Sequence, residues 1–201
     1  MGSPVAGGSK PAATFLFLVV VSLTAGAGVA SAATFIVSNL CPFPVWPAAI
    51  PSEGFGTQLN PGEAWLFKVP PGTKAGRIWG RTGCHFAAGD YGRCATGDCA
   101  GALRCELSGK PPATLAEFSL GGGGAEVEED DFYYISVVDG FNLPMSFVCD
   151  DNSGEDATPI RCMERSCADG KHRAGEGKVR TCKADRTYHY HQYFVIFCPN
   201  A

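Results

Sequence analysis

The residues best suited to chemistry are a cation–indole cluster and two carboxylates. In Gly76-Arg77-Ile78-Trp79-Gly80-Arg81, an extended backbone turns Arg77, Trp79 and Arg81 to one face and Ile78 to the other. Two cations flanking an indole can stack on a sugar ring, or hold carboxylates through planar guanidinium forks. A packed indole between solvated arginines would leave the same pattern. Glu117 sits in Ala116-Glu117-Phe118-Ser119-Leu120, after prolines 111 and 112 that block a helix. Its neighbours form the apolar face, so Glu117 must point toward solvent or a cleft. Asp139 precedes Gly140 after the β-rich run from Phe132 to Val138. Asp-Gly is a turn signal by itself; the sharper reading makes Asp139 a second carboxylate near Glu117.

Other constellations are weaker. His189 and His191 share a strand face and can in principle pinch a metal, although solvated histidines explain them as well. The stretch Asp150-Asp151-Asn152-Ser153-Gly154 lacks the further ligand spacing of a calcium loop. The ten cysteines lack C-x2-C spacing, which argues against zinc. Hydrolase-elbow, metalloprotease and nucleotide-binding fingerprints are missing. We therefore expect no metal and no cofactor.

The elements that must position these residues are short β-type segments punctuated by Gly and Pro, with no long stretch of helical periodicity. An all-β sandwich follows. Thr34-Phe35-Ile36-Val37 and Tyr193-Phe194-Val195-Ile196-Phe197 read as the first and last strands of the mature chain. Residues 1–32 read as a signal peptide, since Lys10 precedes an apolar run and Ala30-Ser31-Ala32 offers a cleavage site; one domain, 33–201, is expected to be secreted. All ten cysteines lie in that domain, an even number suited to bridging along an oxidising export route. Cys84 with Cys94, Cys99 with Cys105, and Cys162 with Cys167 can each close a local turn, leaving Cys149 and Cys182 for a longer loop. Cys41 and Cys198 follow the first and last of these strands. Spacing alone leaves the connectivity open.

Charge narrows the partners. The chain has 16 Lys and Arg against 20 Asp and Glu, a formal net charge of −4, and losing Lys10 with the leader makes it more negative. The longest charge run, Glu126 to Asp131, is acidic apart from Val127; it reads as a solvated loop after four glycines or as one lip of a negative cleft. Nucleic acid is disfavoured as a partner. After the leader no apolar run is long enough for a membrane helix. A monomer without integral membrane association is expected.

Several of these segments, taken in order, resemble thaumatin-like proteins: Thr34 to Cys41 with Val45-Trp46, Arg77 to Cys84, Thr96-Gly97-Asp98-Cys99, Thr114 to Leu120, Asp139 to Met145, and Phe197-Cys198-Pro199. The resemblance implies a flattened antiparallel β-sandwich of the small, ten-cysteine class, which lacks most of the disulfide-rich second domain. It implies bridges Cys41 with Cys198, Cys84 with Cys94, Cys99 with Cys105, Cys149 with Cys182, and Cys162 with Cys167. Large members carry a cleft with one arginine and four acids, thought to bind β-glucan. The arginine corresponds to Arg77 and two acids to Glu117 and Asp139. Tyr134 replaces a third acid, and Glu176 lies only in the vicinity of the fourth. Glycoside hydrolysis needs two carboxyl groups about 5 to 5.5 Å or about 6.5 to 9.5 Å apart, so an incomplete acidic set favours binding over catalysis. Tyr134 adds an aromatic surface. The resemblance thus points to a plant defence protein binding fungal cell-wall polysaccharide through Arg77, Trp79, Glu117, Tyr134 and Asp139. Inhibition of a microbial glycoside hydrolase, a xylanase, and weak β-1,3-glucanase activity are the competing functions.

Overall fold

A computed structural model describes residues 2, 32–50, 55–87, 90–122, 130–150, 158–173, 176–182 and 192–200. Of the proposed signal peptide, only Gly2 and Ala32 fall among them. His189, His191, Glu126 to Glu129 and Asp151 to Asp156 lie outside them. The described residues form strands and turns, without a helix.

Alternation builds the first strand. β1 (Ala33–Asn39) buries every second residue, so Phe35 and Val37 face inward while Ile36 and Ser38 do not. β13 (Gln192–Phe197) follows the same rule and pairs with β1 in parallel, Asn39 opposite Phe197. Parallel pairing brings both strands out at the same end, which places Cys41 beside Cys198. The first sheet continues through β4 (Ala64–Val69), β10 (Met145–Asp150) and β11 (Ile160–Cys162), in the order β11-β10-β13-β1-β4. This sheet is mixed: β1 with β13 is its parallel pair, and its other pairings are antiparallel.

The second sheet is antiparallel throughout. Its strands are β2 (Trp46–Ile50), β3 (Phe55–Gly56), β5 (Gly76–Arg81), β8 (Leu115–Ser119), β9 (Asp131–Ser136) and β12 (Arg180–Cys182), ordered β12-β9-β8-β5-β2-β3. A small hairpin of β6 (His85–Phe86) and β7 (Gly92–Arg93) stands apart. The two large sheets meet across an aromatic core. Phe35 of the first sheet lies 4.5 Å from Phe118 of the second, ring centre to ring centre, and stacks on Tyr193 at 4.7 Å; such aromatic pairs contribute beyond the area they bury.

Five disulfides close the structure, with the pairing that the resemblance implied. Cys149 of β10 and Cys182 of β12 staple one sheet to the other. Cys41–Cys198 spans 157 residues of sequence, and a loop that long corresponds to about 5 kcal/mol in the chain-entropy account.

A second, smaller core lies on the outer face of the second sheet. There Trp79 and Leu115 pack with Cys99 and Cys105 of an irregular loop, 94–110. Arg81 holds this loop down. Its guanidinium, fully buried, donates to the carbonyls of Trp46 at 2.9 Å, Ala102 at 2.7 Å and Leu103 at 2.6 Å. Burial lowers its pKa to about 10, partly opposed by Asp98, so it stays cationic at neutral pH. Asp98 also accepts the backbone N–H groups of Cys94 and Gly101. Replacing Arg81 by Met should strand three buried carbonyls and cost about 3 kcal/mol or more. Urea unfolding would measure this, and a loss below about 1 kcal/mol would contradict the assigned role.

Candidate functional site

Antiparallel register brings the site together. On the outer face of the second sheet, Arg77 of β5 stands opposite Glu117 of β8, and Glu117 stands opposite Tyr134 of β9. Directly opposed residues share a face and lie within side-chain reach. Arg77 Nη2 is 3.7 Å from Glu117 Oε1, with the side chains 28% and 18% exposed. Arg77 Nη1 donates to Ser108 Oγ at 3.0 Å. Its Nε is buried without a hydrogen-bond partner among the described residues. The Glu117 carboxylate also acts on the Tyr134 hydroxyl, its neighbour across the strands. Glu117 therefore sits between a guanidinium and a phenol.

The phenol is tuned by this setting. Its pKa is raised, first by burial, then by the charge of the Glu117 carboxylate and by the hydrogen bond to it, while Arg77 pulls it down. It remains a neutral donor at physiological pH. Over its ring lies Lys171, with Nζ 4.5 Å from the ring centre, a cation–π contact. The stretch around Lys171 delivers this lysine by running beside β9, in a parallel bridge with Ser136. Lys171 donates its N–H to the Ile135 carbonyl at 2.8 Å and accepts the Val137 N–H at 2.9 Å. Asp169 and Lys178 form an ion pair. Sequence reasoning missed Lys171, because a polar, Gly-rich stretch carries no periodic signal tying it to a strand.

Two expected site residues are placed otherwise. Alternation does turn Trp79 to the same side as Arg77, but Trp79 is fully buried. Its indole N–H donates to the Gly97 carbonyl at 2.9 Å. A Cβ on Gly109 would come within 2.4 Å of the indole nitrogen, so the loop covers the ring closely. Trp79 is thus covered and not available to a ligand, contrary to the expectation from its spacing, and Arg81 beside it serves the fold. Asp139 occupies the turn after β9, where the Gly140 N–H donates to the Val137 carbonyl and Gly140 takes a φ of 88°. Its backbone carbonyl accepts the Ala113 N–H at 3.0 Å. Ala113 is four residues from Glu117, about 13 Å along an extended chain. Among the described residues, the pairing of Glu117 runs to Arg77 and Tyr134, and Asp139 does not join it. Glu176 is exposed.

The turn that holds Asp139 is itself fixed to the sheet. Asn142 donates to the Gly80 carbonyl at 2.9 Å and to Thr96 Oγ1 at 2.8 Å, and it accepts the Thr114 N–H at 2.9 Å. One amide thereby joins β5, the covering loop and the approach to β8. Among the described residues there is no cluster of three or more His, Cys, Asp or Glu able to hold a metal. Nor is any helix there long and apolar enough to cross a membrane.

This architecture defines a disulfide-closed β-sandwich with a charged row on the outer face of one sheet. Residues 39–199 match the Thaumatin family, and the chain belongs to it. A thaumatin-like protein of Oryza sativa subsp. japonica is 47% identical over 193 residues, covering 95% of this chain and 99% of its own. Thaumatin-like pathogenesis-related protein 4 of Avena sativa is 49% identical over 186 residues, covering 92% and 97%. Among solved structures, a thaumatin-like xylanase inhibitor superposes with a TM-score of 0.62 at 31% identity, covering 82% of this chain and 99% of that one.

Replacing Glu117 by Gln removes the charge that helps to raise the Tyr134 pKa while leaving the phenol buried. NMR titration of the labelled tyrosine ring should therefore show the pKa falling part of the way toward the ordinary value near 10. An unchanged titration would mean that the carboxylate does not act on the phenol.

Proposed function

We propose that this chain is an exported, monomeric defence protein that binds fungal cell-wall β-glucan or a related polysaccharide without hydrolysing it. Relatives named as pathogenesis-related proteins support the defence role. The observation that carries the binding reading is the partly exposed row Arg77, Glu117 and Tyr134. It offers a cation, an anion and a phenol to the hydroxyl groups of a sugar chain.

The same row speaks against catalysis. Glycosidases use two carboxyl groups about 5 to 5.5 Å or about 6.5 to 9.5 Å apart. Here Glu117 is engaged by Arg77 and Tyr134, and Asp139 stands in a turn whose backbone is anchored well along the sheet. Where the family has a third acid, Tyr134 supplies a hydrogen-bond donor.

Inhibition of a microbial xylanase is the second reading, favoured by the solved structure of a thaumatin-like xylanase inhibitor, 99% of which this chain covers. It calls for a protein partner instead of a glycan, so a glucan sedimentation and a xylanase assay separate the two readings. The first predicts that the wild type sediments with insoluble β-1,3-glucan, releases no reducing sugar, and binds at least about tenfold more weakly as an Arg77→Ala, Tyr134→Ala double variant. Wild type that remains in the supernatant rejects it. Xylanase turnover unchanged by excess protein rejects the second.

A further inference from the structure

Two aromatic side chains that face outward on the second sheet are poorly placed to receive a flat ligand. Trp79 lies under the 94–110 loop, and one face of the Tyr134 ring is occupied by Lys171. Phe132 differs. It lies two residues before Tyr134, hence on the same side of β9, and it is 46% exposed. β9 is paired on both sides, so Phe132 is not at a sheet edge. Its neighbours across the strands are Ser119 of β8 and Thr181 of β12. Ser119 Oγ accepts the Ala75 N–H at 3.4 Å, which leaves its hydroxyl proton to donate. The surface is an exposed phenyl ring between two hydroxyl-bearing residues, one step along the strands from Glu117 and Tyr134.

We propose that Phe132, flanked by Ser119 and Thr181, is a stacking subsite for a neutral polysaccharide chain lying beside the Arg77, Glu117 and Tyr134 row. The inference rests on the glucan reading above. A sugar ring has an apolar face of C–H groups and a rim of hydroxyls, so it needs an aromatic surface beneath it and small polar groups at its edges. Neighbouring strands lie about 4.8 Å apart, the scale of one sugar ring. A ring centred over β9 therefore brings its edge hydroxyls toward β8 and β12. A protein partner fits this spot less well. Stable protein interfaces bury about 800 Å² on each side around clustered apolar anchors, and a single ring between Ser and Thr offers a small fraction of that area.

Insoluble β-1,3-glucan sedimentation with wild type, Phe132→Ala, Phe132→Leu and Phe132→Trp tests the proposal, with equal urea midpoints confirming that each variant folds. The Ala and Leu variants should bind roughly tenfold more weakly, the loss expected when an aromatic contact is removed. The Trp variant should bind at least as well as wild type. Leu separates ring stacking from apolar contact in general. Wild type that sediments while Ala and Leu sediment equally well overturns the subsite and leaves the glucan reading standing. Wild type that fails to sediment overturns both. If Phe132→Ala instead abolishes xylanase inhibition and leaves glucan binding intact, the ring belongs to a protein interface and the glycan assignment fails.

Discussion

The buried guanidinium of Arg81 is the interaction on which the working face of this protein depends. A cation without access to water costs several kcal/mol unless its donors are satisfied. Here the satisfying acceptors are backbone carbonyls of Trp46 in the sheet and of Ala102 and Leu103 in the covering loop. The loop is consequently held to the sheet by a group that cannot let go cheaply. Phe86 of the small hairpin lies under the same guanidinium, 5.6 Å from its central carbon to the ring centre. The Cys84–Cys94 and Cys99–Cys105 bridges brace the segments around it.

The consequence is a division of one sheet face into two parts. At one end Trp79 and Arg81 are sealed, Trp79 within a second core and Arg81 beside it. At the other, Arg77, Glu117, Tyr134 and Phe132 remain accessible in part or in large measure. Ser108 belongs to the covering loop and accepts a hydrogen bond from Arg77, so the sealed part orients the first residue of the open part. Lys171 closes the far side of the row from a separate segment. A surface whose side chains are held before a ligand arrives loses less freedom on binding.

Much of this was legible in the residues, for identifiable reasons. The β-branched and aromatic residues of β1 and β13 and the Gly and Pro punctuation gave the sheet class. The motif resemblance gave the bridge pairing. Alternation also placed Arg77, Trp79 and Arg81 on one face correctly. It could not tell which of them would be covered, because the cover is an irregular loop whose position depends on a cysteine bridge and on carbonyls distant in sequence. The same limit explains Lys171, brought to Tyr134 by a glycine-rich segment, and Asp139, whose turn was readable from Asp-Gly while its place along β8 was not. Phe132 was visible as part of a β-rich run. Its exposure depends on what packs above it, which no local pattern records.

Hydrogen exchange at the Trp79 indole N–H, followed in 15N-labelled protein, tests the sealed half of the face directly. If Arg81 clamps the loop over the indole, that proton should exchange on the order of a thousandfold more slowly than a free indole, and it should stay protected when glucan binds. Exchange at the free-indole rate would mean that the loop lifts readily, and the division of the face into a sealed core and an open row would be wrong.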